Sequence, residues 1–101
     1  MTYDEMAQML GGRPSKVLPN IRGTILRRDG DNIALSYWGT DVVTWHPDGG
    51  FTLRSGGWYT VTTKARINAF TPVSVRQRQH EWFVTTPDGV VPFRDGMRIG
   101  G

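Results

Sequence analysis

From Val17 onward, apolar and polar positions alternate in short runs separated by glycine-bearing turns. Ile21–Arg28 leads into a turn at Asp29-Gly30-Asp31. Asn32–Trp38 follows, with Ile33, Leu35 and Tyr37 on one face and Ala34, Ser36 and Trp38 on the other, the two-residue period of a strand. Asp41–His46 sets Val43 and Trp45 opposite Val42 and Thr44. Pro47-Asp48-Gly49-Gly50 then reads as a hairpin turn, because Pro presets the first dihedral and Gly accepts positive φ. Phe51–Arg54 returns. Later in the chain, Val73–Gln79 and Glu81–Thr86 form strands, Pro87-Asp88-Gly89 turns again, and Val90–Arg94 returns to Asp95-Gly96.

Two segments carry a helical pattern instead. In residues 1–12, Thr2 and Glu5 have the spacing of a capping box, Tyr3, Met6, Met9 and Leu10 share a face, and Gly11-Gly12 supplies a stop. Arg13-Pro14-Ser15-Lys16 reads as a linker. In Gly56–Phe70, GGWYTVTTKARINAF, a Gly-Gly corner precedes two aromatics, read as core or edge anchors. Thr62 or Thr63 is placed to cap a helix, Ala65, Ile67 and Phe70 provide its buried contacts, and Pro72 ends it. A helix this short holds only if it packs on a sheet. The fold expected is α+β. It is a strongly bent antiparallel sheet or small barrel of about five to seven short strands, with one short helix at about 62–70 and an N-terminal helix at about 2–10. Residues 1–16 read as an N-terminal segment and 17–101 as a single β-rich domain.

A faint internal repeat accompanies this pattern. PDGGFTLRSG at 47–56 aligns without gaps to PDGVVPFRDG at 87–96. One hairpin design used twice and chance convergence on a good turn explain it equally well; two copies are too few for a solenoid or propeller.

Composition narrows the function classes. The 101 residues fit one domain, and 11% aromatic content argues against a disordered chain. The absence of cysteine excludes disulfides, thiolate metal sites and a Cys nucleophile. No apolar run approaches the length of a membrane span, and MTYDEMAQML is acidic where a signal peptide is basic, so a cytoplasmic location is expected. Net charge is +3, and apart from Lys16 and Lys64 every cation is arginine, a residue that forks onto phosphates and carboxylates. GC-rich coding gives the same bias.

Candidate chemistry is sparse. The helix start at Thr62, Thr63, Lys64 and Arg66 combines free N–H groups, hydroxyls and cations, as an anion site does. Its glycine spacing is not that of a P-loop, and plain capping is the simpler account of the threonines. The stretch SVRQRQHEW places Ser74, Arg76 and Arg78 on one strand face. That face is suited to a phosphate backbone with Trp38 or Trp82 stacking on bases, to an acidic protein surface, or simply to solvent. His46 and His80 have no second ligand at metal spacing and read as exposed turn residues. The acids Asp41, Asp48, Asp88 and Asp95 read mostly as turn residues. No catalytic constellation, metal site or cofactor site is expected.

The run TDVVTWHPDGGFTLRSGGWYTVTTKARINAF, Thr40 to Phe70, resembles a family of small uncharacterised proteins spread through tailed-phage genomes. The shared marks are Thr40–Thr44, Thr52–Trp58, Thr60–Asn68 and the Asp95-Gly96-Met97 element, with Arg54 where the family usually carries Asn. The resemblance covers roughly residues 21–99. It implies context rather than chemistry: a small phage accessory protein that acts by binding. Expected partners are a host protein or nucleoprotein complex in the host cytoplasm, inhibited or modulated in an anti-CRISPR or other anti-defence style. A small basic domain that binds nucleic acid directly is the alternative.

Overall fold

In the computed structural model, which describes residues 1–19 and 21–100, the described residues form two helices and nine strands. Helix α1 spans Tyr3–Leu10 and is followed by β1 (Ser15–Val17), β2 (Thr24–Asp29), β3 (Asn32–Tyr37), β4 (Thr40–Trp45) and β5 (Phe51–Leu53). Helix α2 (Val61–Phe70) precedes β6 (Ser74–Arg78), β7 (Glu81–Thr86), β8 (Gly89–Pro92) and β9 (Met97–Ile99). The architecture is α+β, but the expected single bent sheet or barrel of five to seven strands is replaced by two open antiparallel sheets. One has six strands in the order β1-β2-β3-β4-β5-β9 and the other three, β6-β7-β8. Two short strands account for the difference in number. Ser15 and Lys16, read as linker, pair with β2, and Met97–Ile99 returns to pair with β5. Asn20 and Gly101, both inside the expected 17–101 domain, lie outside the described residues. No helix among the described residues is long and apolar enough to cross a membrane.

The larger sheet is two-faced. Cross-strand registration puts Leu26, Leu35, Val43, Leu53 and Met97 in one row. Ile33, Trp45, Phe51 and Ile99 form the next row on the same face. Met6 and Leu10 of α1, Ile67 and Phe70 of α2, and Val75, Trp82 and Val84 of the small sheet join these rows in one contiguous core. The N-terminal helix therefore packs on the body. Its capping box is the one expected: Thr2 Oγ1 accepts from Glu5 N–H while Glu5 accepts from Thr2 N–H.

The opposite face is polar, built on Arg27, Ala34, Thr44, Thr52 and Arg98 in a single row. Arg27 pairs with Asp41 and Arg98 with Asp48. His46, expected as an exposed turn residue, is half-buried here and bridges Asn32 (3.1 Å) and Thr52 (2.7 Å). A β-bulge makes this sidedness work. Leu35 faces Val43 but Ser36 faces Asp41, so Val42 is the extra residue. It turns Asp41 outward to Arg27 and leaves Val42 buried near the inner edge. The simple alternation read from Asp41–His46 fails at this residue.

Helix α2 joins the two sheets, touching β4 on one side and β6 on the other. The exposed edge of β6 is closed by a side chain: Asn68 Nδ2 donates to Val75 C=O (3.1 Å) and Asn68 Oδ1 accepts from Val75 N–H (2.6 Å). Asn68 thus takes the place of a neighbouring strand. Asn68→Ala should lower stability by about 2 kcal/mol, because both backbone groups of a buried residue lose their partners. Urea unfolding reads the loss, and hydrogen exchange should accelerate selectively at the Val75 amide.

Candidate functional site

The stretch Ser55–Thr60 makes one wall of a groove, and its shape comes from one carboxylate. Asp95 accepts from both the N–H and the hydroxyl of Ser55 (2.8 Å to Oδ2 from the hydroxyl). It also accepts from Gly56 N–H (3.3 Å) and the Tyr59 hydroxyl (3.2 Å). Gly56 has φ +63, and a Cβ there would meet Thr40 at 2.7 Å, so only glycine permits this approach. Trp58 N–H donates to Ser55 C=O and Thr60 N–H to Trp58 C=O, which coils the loop tightly. The helix cap is Thr60, whose hydroxyl accepts from Thr63 N–H (3.2 Å), not Thr62 or Thr63. The cap lies two or three residues earlier than the sequence suggests, because Thr60 is the threonine still in extended backbone (φ −108, ψ 160). Trp58 is consequently thrown outward, with 66% of its surface exposed, where a core or edge anchor was expected.

Trp38 forms the other wall. It has φ 47, a left-handed conformation that is uncommon for a bulky residue and costs on the order of 1 kcal/mol or more. Its N–H is held by Gly23 C=O (2.9 Å), and its indole lies where a Gly23 Cβ would be, 2.3 Å from Cε2. The ring is 68% exposed all the same. Between the walls lies a groove of about 360 Å³, lined by Tyr37, Trp38, Thr40, Trp58 and Thr62 among others.

The cations expected at the helix start are directed elsewhere. Lys64 donates to Gln77 (3.1 Å) and lies over the Trp82 ring. Arg66 donates to Thr24 (3.3 Å) and covers the Tyr37 ring. Thr63 is buried at the base of the groove, and Thr62 is the more exposed of the two threonines that line it. The TVTTK-x-R-x-N stretch is therefore a set of joints: Thr60 caps the helix, Lys64 and Asn68 reach the small sheet, and Arg66 reaches the large one.

Arg76 and Arg78 lie on the outer face of the small sheet. Arg76 stands opposite Phe83, which stands opposite Pro92, while Ser74, Thr85 and Val90 form the neighbouring row. Arg76, Arg78, Phe83, Thr85 and Val90, with Gln77, line a shallow depression of about 420 Å³. Arg78 faces Glu81 across the hairpin, and among the described residues neither arginine forms an ion pair. Trp82, paired with Gln77, points to the inner face. There it is 5% exposed and meets Tyr59 (4.9 Å) and Phe93 (5.3 Å) edge-on. It is not placed for stacking on a base beside Arg76, and Trp38 lines a different part of the surface. The aromatic residue on the arginine face is Phe83, which strict alternation from Arg76 through its cross-strand partner would have identified. The tip of this hairpin, Gln79-His80, has both residues at positive φ (52 and 66), where glycine or asparagine is the ordinary choice.

Asp95 and His46 both have displaced titrations. Partial burial pushes the Asp95 carboxyl up, but the bonds from Ser55, Tyr59 and Gly56 outweigh it and hold its pKa below the ordinary 3.8. Burial, with Arg98 and then Arg54 nearby, holds His46 below the ordinary 6.5, against an opposing pull from Asp48. No group of three potential metal ligands occurs among the described residues.

The profile of the Kyanoviridae Gp96 protein family matches residues 20–100, so the chain belongs to that phage family. No curated protein and no solved structure matches it.

Both partners of the Ser55–Asp95 contact fall inside the matched region. Asp95→Ala should cost about 1–3 kcal/mol, since it strands the buried Ser55 donors at a site that remains open to solvent on one side. The wild-type contribution is present above the ordinary carboxylate pKa and is lost as pH falls through the depressed folded value. Thermal melts from pH 6 down to about pH 2 should therefore show a stability loss below the ordinary value that Asp95→Asn lacks.

Proposed function

We propose that this member of the Kyanoviridae Gp96 family is a non-enzymatic binding protein. In this reading it docks on a host protein or nucleoprotein complex in the host cytoplasm and modulates it, in the manner of an anti-CRISPR or other anti-defence inhibitor. The observation that carries this reading is the uncovered outer face of β6–β8. Its inner face is fully used, with Val75, Trp82 and Val84 in the core, while Arg76, Arg78, Phe83 and Val90 are left outward around one depression. Arginine beside an aromatic ring and a valine is the composition of an interface anchor. The strained Gln79-His80 tip supports it further, since strain of this kind persists where surrounding structure or function requires it. A partner surface carrying carboxylates would complement the two arginines.

A second reading, a small basic domain that contacts phosphate backbone and single-stranded bases, is favoured by the same residues: Phe83 offers a stacking surface directly across from Arg76 and on the same face as Arg78. Salt separates the two readings. Binding to oligothymidylate would weaken steeply with salt, and removing both arginines would reduce the slope by roughly 1–2.

A tagged pull-down from host lysate, with and without nuclease, tests the proposal. The expected outcome is a defined host protein that survives nuclease and is reduced at least about tenfold by Arg76→Glu with Arg78→Glu. Recovery that vanishes with nuclease would transfer the function to the nucleic-acid reading. A partner retained at full strength by the double variant would remove this face from the interface.

A further inference from the structure

The groove between Trp38 and Trp58 differs in chemistry from the arginine face. Three rings border it, Tyr37, Trp38 and Trp58, and the two tryptophans are among the most exposed large side chains of the chain. Exposed indoles cost solubility and invite association, so their fixed presentation calls for a reason. Trp38 is not merely left outside. Its backbone is held at positive φ, its N–H is bonded to Gly23, and its indole is seated flat against a glycine that has no Cβ to push it away. Trp58 is fixed by the coil that Asp95 and Ser55 impose. The Trp38 ring and the Trp58 backbone are therefore pre-organised, which lowers the entropy lost on binding.

The rest of the lining is hydroxylic and uncharged: Thr40, Ser55, Thr60, Thr62 and Thr63, with Val42 at the base. Ser55 and Thr60 spend their hydroxyls on the framework. Among the described residues, those of Thr40 and Thr62 make no intramolecular hydrogen bond, and both border the groove. No cation among the described residues lines it, and Arg66, which covers the Tyr37 ring, is spent on Thr24. A phosphate or carboxylate ligand would find no countercharge here. An apolar peptide side chain would leave the two free hydroxyls unanswered. A neutral ligand with flat C–H faces and a rim of hydroxyls satisfies both features, because its faces stack on indole and its hydroxyls exchange hydrogen bonds with threonine.

We propose that the Trp38–Trp58 groove is a saccharide-binding site that accepts a neutral pyranose unit of a glycan chain. The volume of about 360 Å³ lies at the small end of ligand sites, suited to one or two sugar rings rather than a long buried chain. The two indoles hold the ring faces, and Thr40 and Thr62 select for its hydroxyls. This site lies apart from the arginine face, so each proposal stands or falls without the other.

Isothermal titration of the full-length protein with three neutral hexasaccharides, a β-1,4-glucan, an α-1,4-glucan and a β-1,4-linked N-acetylglucosamine oligomer, tests it. Hexathymidylate serves as the competing chemistry. The expected result is saturable binding of at least one saccharide with a dissociation constant of about 1 mM or tighter. Trp38→Ala and Trp58→Ala should each weaken it at least about tenfold, and Thr62→Val by a smaller factor. All three positions carry solvent-facing side chains, so circular dichroism should report an unchanged fold. As a second probe, Gly23→Ala displaces the indole without deleting it and should weaken the same binding. No saturation by any of the three saccharides would overturn the proposal. So would saccharide binding that survives both tryptophan variants, or hexathymidylate binding in the groove more tightly than every saccharide.

Discussion

The bond between Asp95 and Ser55 is the constraint on which the arrangement of the molecule depends. Ser55 follows β5 and Asp95 precedes β9, and these two strands pair. The carboxylate thus closes the end of a ladder whose last backbone bond is Gly96 N–H to Leu53 C=O. The same carboxylate collects Gly56 N–H and the Tyr59 hydroxyl, so the loop leading to α2 is fixed before the helix starts. Tyr59 in turn rests edge-on against Trp82 and Phe93 of the small-sheet hairpin. One ionised side chain therefore coordinates the larger sheet, the helix entry and the second sheet. A charge-assisted acceptor is stronger than a neutral one, which suits a position where four donors converge.

From that fixed entry, α2 works as a joint more than as an amphipathic helix. Its apolar contribution is small, Ile67 and Phe70, and a helix of this length would not persist alone. Polar side chains on different sides complete its attachment: Arg66 to Thr24 and Tyr37 in the large sheet, Lys64 and Asn68 to β6 in the small one. The residue pair Lys64 and Arg66 invites a phosphate-binding reading on sequence alone. In the folded chain the two cations are spent on a glutamine, a threonine and two aromatic rings.

Much of the local structure was legible from residue order. The capping box of α1, the Asp29-Gly30-Asp31 turn, the stop before Pro72 and the placement of Arg76 and Arg78 on one face all follow from short-range rules, and the structure has them. What was not legible depended on partners far along the chain. Ser15–Val17 is a strand only because β2 lies beside it, and Met97–Ile99 only because β5 does. Trp82 looked available because its exposure was unknown; pairing with Gln77 sends it inward and brings Phe83 to the surface instead. Trp58 misled in the opposite direction. Large aromatics after Gly-Gly read as anchors, and the coil that exposes Trp58 is set by Asp95, distant in sequence. Ser55 and Asp95 occupy equivalent places in the two copies of the internal repeat, but equivalence alone does not bring two residues together.

The positions of backbone strain separate framework from working surface. Non-glycine residues at positive φ occur at Trp38, Gln79 and His80 among the described residues, and none of the three is in the core. Strain in a core residue can be sustained by the packing it permits. Strain in an exposed residue gains little from the folded chain itself, so its compensation must come from local bonds or from contacts made with another molecule. At Trp38 the local bonds are visible, in the Gly23 carbonyl and the stacked indole, and they hold the ring over the groove. At Gln79-His80 the hairpin pairing of Arg78 with Glu81 supplies the bonds, and it holds the tip beside the arginine face. The chain thus carries its strain at two separate surfaces, each bearing an aromatic ring and groups not fully used by the fold.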